Sequence, residues 1–248
     1  VHPPEGSAPA DLHLATEVWP KAWRGAVGIL AGMLTLYATG FIFAQFGGGE
    51  EVSAYLLALN VLGIVSQLAL SPVFGAMPRI SSLLARGEKE KMEAGAKHAF
   101  GRSMQIYVLC VVTIPLVVHI LNRALPSPIH FADRTLWLVL CLAGLVTRYG
   151  SVHLHYYTAT NQVHWHNINP PFLLLSLAPV LIFERPHPLD FAIAQLLAAC
   201  LYYAAYARWL TLRHMHYSWR QDWPSVPLWA ATMTAMLLIW RWLGIPAG

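Results

Sequence analysis

Residues 136–169, LWLVLCLAGLVTRYGSVHLHYYTATNQVHWHNIN, decide the fold class because an apolar run there contains a charged residue far from its start. Arg148 follows about a dozen uncharged residues. An apolar run that approaches about 20 residues is typical of a membrane-spanning helix, and an arginine in its middle costs roughly 3 kcal/mol on insertion scales. A charge in that position is therefore a candidate for function.

Arg148 belongs to a polar stripe on this predicted helix. Because successive side chains lie about 100° apart around a helix axis, Ser151 and His155 fall within about 60° of Arg148. The other members of the stripe are Cys141, Gly144, Thr158 and Gln162. Lipid cannot satisfy a guanidinium or an imidazole, so the stripe must face protein or water. We predict that it forms the wall of a buried aqueous path.

The composition of the chain agrees with a membrane location. It is 56% hydrophobic and only 11% charged, whereas soluble domains are about 25% charged. The pattern predicts an all-α polytopic membrane protein, and the lack of alternating strands argues against a membrane barrel. The three cysteines lie in apolar runs without metal-binding spacing. The net charge of +4 comes from basic residues beside apolar runs, where membrane orientation explains them better than nucleic acid does.

The apolar runs predict a six-helix transmembrane lobe at residues 19–216. Residues 1–18, rich in Pro and Ala, are interpreted as a linker, with the chain beginning partway through a longer protein. The C-terminal segment 217–248 contains a possible seventh span at 226–243, which the sequence does not decide. The six predicted spans cover residues 23–46, 53–77, 103–121, 136 onward to a turn that ends at Asn169, 170–183 and 191–212. Eleven of the 16 lysines and arginines then lie in the cytosol, including those of a charged helical connector at 79–102, which supports this orientation.

Two other spans carry candidates for lining the path. Asn60 and Gln67 share one face of the second span. They either contact the substrate, which we favour, or join helices by hydrogen bonds worth about 0.6 kcal/mol each. Tyr202 lies on a stripe with Gln195 and Tyr206, where its ring either stacks on a sugar or packs against neighbouring helices.

Several short motifs occur in an order and spacing that resemble one transporter family. They are Trp23-Arg24, the turn at 45–55, Pro78 followed by Gly87-Glu88-Lys89-Glu90, Arg148-Tyr149-Gly150 with His153, Thr160-Asn161, and Trp165-His166. Over residues 17–213 the chain resembles the C-terminal six-helix half of a Wzx-like polysaccharide or O-antigen flippase. These flippases belong to the multidrug/oligosaccharidyl-lipid/polysaccharide exporter superfamily.

The resemblance implies a transport protein of the bacterial inner membrane with no covalent chemistry. Two six-helix lobes would enclose a cavity and alternate its access to either side. The substrate would be an oligosaccharide linked to undecaprenyl diphosphate. Besides membrane lipids, the implied partner is the missing N-terminal lobe or a second copy of this chain. In that setting Arg148 would bind the diphosphate, because a guanidinium suits phosphate oxygens.

Three alternatives stay open at this point. Arg148 could instead be satisfied by backbone carbonyls or by a carboxylate of another helix, although none of the six spans contains Asp or Glu. The chain could be a cation-coupled multidrug exporter of the same superfamily, with carboxylates in the other lobe.

The third alternative is a metal-dependent, lipid-modifying membrane enzyme, suggested by three His-x-His pairs. The pairs are His153 and His155, His164 and His166, and His214 and His216. On a helix such pairs point about 200° apart, so His153 and His155 cannot share a metal. We therefore predict no catalytic residues, metal or cofactor.

Overall fold

The computed structural model describes residues 8–126, 129–160, 162, 164–215 and 225–242. Within them all regular secondary structure is helical. The elements are α1 (Ala8–Phe43), α2 (Gly49–Ala85), α3 (Lys89–Ala124), α4 (Arg134–Thr158), α5 (Trp165–Ser176), α6 (Pro179–Ile182), α7 (Pro188–Ala198), a π-helical turn (Ala199–Tyr203), α8 (Ala204–Met215) and α9 (Ser225–Trp242).

Five of the described helical segments are long and apolar enough to cross a membrane. They are Val18–Phe43, Gly49–Ala85, Lys89–Ala124, Arg134–Thr158 and Pro188–Arg213. The all-helical class is therefore confirmed and is compatible with a polytopic membrane protein, whereas a sixth span is not found among the described residues. The C-terminal helix α9, 18 residues long, corresponds to the segment left open at 226–243 and is not among the five.

The predicted span at 170–183 is broken in two. Helix α5 has 12 residues and α6 has four, so α5 is only about 18 Å long against a hydrocarbon core of about 30 Å. Pro179 explains the break, because a proline lacks the amide hydrogen and its ring collides with the carbonyl four residues earlier. The predicted turn ending at Asn169 is also displaced, since α5 already begins at Trp165.

Helices α2 and α3 extend through the predicted charged connector. Pro72 and Pro78 both lie inside α2 without ending it. Only residues 86–88 separate the two helices, and Gly87 turns the chain there with φ of +73°. At the other end of the chain, α1 starts at Ala8, inside the predicted linker. The Ala, Leu and Glu residues of that segment favour a helix; residues 1–7 lie outside the described part.

We expect Gly87→Ala to destabilise the protein by about 1 kcal/mol, because an L-residue in the left-handed region costs roughly 1–2 kcal/mol. Gly95→Ala is the matched control. It lies in α3 with open space around an added Cβ, so alanine there is expected to be neutral or stabilising by up to about 1 kcal/mol. Thermal unfolding of both variants in detergent measures the difference. Equal effects of the two changes would contradict the assigned turn.

Helix α4 is the central element of the bundle. It packs against α2, α3, α7 and α8, and Trp137 and Tyr149 are among its fully buried side chains. Gly144 admits the ring of Tyr107 from α3, whose hydroxyl donates a 3.0 Å hydrogen bond to the carbonyl of Cys141. The residues of the stripe are therefore held at fixed positions by close helix packing.

Helix α1 contacts two helices, α2 near its C-terminal end and α5 nearer its N-terminal end. Near its C-terminal end it meets α2, where Tyr55 Oη donates to Thr39 Oγ1 at 3.1 Å. Further toward its N-terminus it packs on α5, and the side-chain amide of Asn169 donates to the carbonyl of Gly28 at 2.7 Å. A Cβ on Gly28 would lie 2.2 Å from Trp165 Cβ. Because α1 therefore diverges from α2 toward its N-terminal end, a space opens between α1, α2, α4 and α5.

Candidate functional site

A cavity of about 470 Å³ occupies the space between the diverging helices. Its walls come from α1, α2, α4, α5, α7 and the π-helical turn. The polar side chains of its lining are Thr35, Ser66, Gln67, Thr147, Arg148, Ser151, His155, Asn169 and Gln195. Glycines and apolar and aromatic residues form the rest of the wall. The volume lies within the range of about 300–1,000 Å³ that is usual for ligand pockets.

Arg148 supplies the charge of this cavity. The residue is 6% exposed, and its Nε and Nη1 atoms have no hydrogen-bond acceptor among the described residues. No aspartate or glutamate from the described part of the chain lines the cavity. A buried guanidinium without a counter-ion is costly, since buried charges are normally paired. The cavity therefore has a positive wall that an anion would complement.

The middle of the predicted α4 stripe lines the cavity as expected. Ser151 and His155 lie beside Arg148 in the lining, and Gln67 joins them from α2. The imidazole of His155 is held between two rings, with centroids 4.8 Å from Phe74 and 5.0 Å from Trp165. Four of the six predicted site residues are thus brought together around one space.

The ends of the stripe do not face the cavity. Cys141 is fully buried and its carbonyl accepts the Tyr107 hydrogen bond. Thr158 donates to the carbonyl of His155 at 2.6 Å, and Gln162 accepts a hydrogen bond from the hydroxyl of Tyr157. The polar part of the wall that α4 forms is therefore limited to Thr147, Arg148, Ser151 and His155.

Asn60 lies outside the cavity, contrary to our expectation. It is exposed on the surface of α2, while the α2 residues that form the wall are centred on Leu59, Gly63 and Leu70. That direction is about 80° from Asn60 around the helix. Asn60 and Gln67 share a polar face of α2, but of these two side chains only that of Gln67, which lies nearer to the wall, lines the cavity.

Tyr202 also lies outside, and its neighbour Tyr203 takes its place. A π-helical turn fits one more residue than an α-helical turn, so every later side chain is shifted by one position. Gln195 and Tyr203 consequently share the cavity wall. The hydroxyl of Tyr202 instead donates to the carbonyl of Asn167 at 2.8 Å, and its ring stacks on that of Tyr206.

The histidines are dispersed. His153 is fully buried, with its ring 4.6 Å from that of Tyr149, whereas His155 faces the cavity. The rings of His164 and His166 lie 6.1 Å apart. In the described part of the chain no three His, Cys, Asp or Glu residues converge in a way that could hold a metal. The side chain of His214 and the whole of His216 lie outside the described residues.

Two features of the site were missed in the sequence. Asn169 was interpreted as the end of a turn, although it sits within α5 and joins the cavity wall to α1. Gly28 and Gly32, four residues apart, are a recognised signal of close helix approach in membranes and could have located that contact.

Compared with known protein families, curated proteins and solved structures, this chain matches none.

Proposed function

We propose that this chain is one lobe of a flippase that moves a lipid-linked oligosaccharide across the bacterial inner membrane by alternating access. The observation that carries the proposal is Arg148, a buried guanidinium without a hydrogen-bond partner on two of its nitrogens among the described residues. It lies in the wall of a cavity between helices of which several are long and apolar enough to cross a membrane. A diphosphate linker is a suitable counter-ion for it.

The charge of the cavity favours an anionic substrate over a cationic one. A fixed positive charge in a binding site repels a lipophilic cation unless carboxylates compensate it. Among the described lining residues there is no carboxylate, and the fixed charge is positive. Arginine is well suited to phosphate because its planar guanidinium donates several hydrogen bonds and stays ionised. This argues against the multidrug-exporter alternative.

The remaining lining suits a sugar. Gln67, Ser151, Asn169 and Gln195 provide amide and hydroxyl groups that can bond to sugar hydroxyls. Trp165, also in the wall, offers an aromatic face for a pyranose ring. Such a mixture of polar and aromatic groups is what recognition of an uncharged saccharide requires, beside the charge that recognises its phosphate.

The lipid tail of such a substrate would stay in the bilayer. Ile29 and Phe74 line the cavity yet are 59% and 48% exposed at the side of the bundle. The cavity thus reaches the lipid-facing surface between α1 and α2. A polar head group could enter there while its hydrocarbon chain remains in lipid, which lowers the cost of moving the head group across. A second lobe or a second copy of this chain would close the opposite side.

The proposal is tested by comparing the affinities of the chain, held in nanodiscs, for different ligands. A polyprenyl-diphosphate saccharide is expected to bind at least about 30-fold more tightly than the same polyprenyl saccharide without phosphate, since one desolvated charge interaction is worth about 2 kcal/mol or more. Lipophilic cations are expected to bind weakly. Equal binding of the phosphate-free lipid, or preferential binding of the cations, would reject a phosphate-directed flippase.

The enzyme alternative is tested on the same preparation. A lipid-modifying metalloenzyme would contain close to one equivalent of iron or zinc and would change the mass of the added lipid. We expect the polyprenyl-diphosphate saccharide to be recovered unaltered, because no three His, Cys, Asp or Glu residues of the described chain converge in a way that could hold a metal. Recovery of a modified lipid would overturn the transport proposal.

A further inference from the structure

The π-helical turn places the hydroxyl of Tyr203 in the wall of the cavity, beside the charge of Arg148. Tyr203 is buried and lines the cavity together with Arg148 and Ser151. Its hydroxyl shares a hydrogen bond with the hydroxyl of Ser151 and is close enough to the Arg148 guanidinium to interact with it electrostatically. Turns of this kind are frequent at functional sites, and this one brings Tyr203 rather than Tyr202 to the wall.

The ring of Tyr203 is packed tightly enough to fix the position of its hydroxyl. A Cβ on Gly150 would lie 2.7 Å from this ring, so the absence of a side chain at Gly150 lets the ring rest directly on α4. The centroid of the ring also lies 4.9 Å from that of Phe172 in α5. A donor that is already held in place loses little conformational entropy when it contacts a ligand, so it can contribute to recognition at low cost.

The two hydroxyls retain a hydrogen-bond donor for a ligand. Ser151 and Tyr203 have one O–H group each, and the bond between them uses only one of the two. Arg148 lies three residues before Ser151, a distance of about 4.5 Å along the helix axis. Its Nε and Nη1 atoms have no acceptor among the described residues. The wall therefore presents a cationic donor and a neutral donor side by side.

We propose that Tyr203 is a specificity-determining residue of the cavity, whose hydroxyl binds the second of two linked phosphates when Arg148 binds the first. This inference rests on the proposed function and names the residue that would distinguish a diphosphate lipid from a monophosphate lipid. The guanidinium alone can satisfy one phosphate. A second phosphate reaches the hydroxyl pair, where a charge-assisted hydrogen bond is stronger than one between neutral groups. The hydroxyl thus adds affinity only when the second phosphate is present.

The full chain in nanodiscs tests this assignment through its affinities for a polyprenyl-diphosphate saccharide and for the matching polyprenyl-monophosphate saccharide. Tyr203→Phe keeps the ring and removes the hydroxyl, so it should weaken diphosphate binding roughly tenfold and change monophosphate binding by less than about twofold. Ser151→Ala removes the other member of the pair and should lower the preference in the same direction. Tyr202→Phe is the matched control, because the Tyr202 hydroxyl donates to the Asn167 carbonyl outside the cavity. It should keep the preference of the unaltered chain.

The ratio of the two affinities separates recognition from a structural role. If Tyr203→Phe disturbed only the packing of the π-helical turn, both lipids would bind more weakly and the preference would persist, which would overturn the assignment. An equal loss of preference in Tyr202→Phe would overturn it as well. The proposed function fails separately, when the unaltered chain binds the diphosphate lipid no more tightly than its phosphate-free analogue. A chain that selects phosphate but keeps its diphosphate preference in Tyr203→Phe contradicts the role of Tyr203 alone.

Discussion

Replacing Arg148 with methionine is expected to stabilise the protein and to weaken binding of the phosphate-bearing ligand roughly 100-fold in the same variant. The guanidinium is buried, and two of its nitrogens have no acceptor in the described chain. Exchange of buried charged groups for apolar residues of similar size has stabilised other proteins by about 1–4 kcal/mol. Methionine matches the length of the arginine stem and removes the charge, so the free energy of unfolding should rise.

Unlike the free energy of unfolding, the affinity for the ligand should fall. Loss of a desolvated charged partner costs about 2–5 kcal/mol of binding free energy, so affinity for a polyprenyl-diphosphate saccharide should fall by roughly 100-fold. Arg148→Lys keeps the charge but loses the planar set of donors, and an intermediate affinity is expected. The measurements are thermal unfolding without ligand and ligand binding in nanodiscs, both for the same three proteins.

Arg213→Met serves as the control for this pair of effects. Arg213 is exposed and lies 5.1 Å from the ring centroid of Trp209, away from the cavity. Its replacement should change stability by less than about 0.5 kcal/mol and leave binding unaltered. If Arg148→Met lowered stability, the arginine would have a structural partner and would be part of the scaffold. If binding survived the change, the cavity would not recognise its ligand through this charge.

The sequence predicted the charged residue of the site because charge within an apolar run is visible without knowledge of neighbouring helices. Arg148, Ser151 and His155 are spaced on one helix, and their common face follows from helical periodicity alone. All three line the cavity. Gln67 was predicted for the same reason, on a different helix, and it also reaches the wall.

Features that depend on a neighbouring helix could not be predicted in this way. Asn60 shares a face with Gln67, but the direction from which α1 approaches α2 decides which side of that face is enclosed. Tyr202 was placed on the stripe of Gln195 by assuming an uninterrupted α-helix, and the π-helical turn moved Tyr203 there instead. The residue types of the π-helical turn do not predict it from the sequence. The turn is stabilised instead by packing against Gly150.

The contact between α1 and α5 should be a highly sensitive packing site. An alanine Cβ at position 28 would lie 2.2 Å from Trp165 Cβ and 2.7 Å from the carbonyl carbon of that residue. Because one of these atoms is backbone, a rotamer change cannot relieve the collision. Overpacking typically costs about 1–3 kcal/mol. Separation of the helices would also break the buried hydrogen bond from Asn169 to the Gly28 carbonyl, which adds about 1 kcal/mol.

We therefore expect Gly28→Ala to destabilise the chain by about 2–4 kcal/mol and to weaken ligand binding, since Trp165 and Asn169 both line the cavity. Gly25→Ala, one turn earlier on α1, is the matched control. No atom lies within 4 Å of an added Cβ there, and alanine should be neutral or stabilising by up to about 1 kcal/mol. Thermal unfolding compares the two variants.

Asn169→Leu separates the steric cause from the loss of the hydrogen bond. It removes the amide donor but leaves Gly28 free to approach Trp165, so it should cost less than Gly28→Ala while still weakening the binding of a saccharide head group. If Gly28→Ala and Gly25→Ala behaved alike, α1 would not pack on α5 at this position, and the cavity would lose its α1 wall. A cavity without its α1 wall would be more open to lipid, where an unpaired guanidinium is disfavoured. We therefore expect the close approach at Gly28 to help shield the charge of Arg148 from lipid.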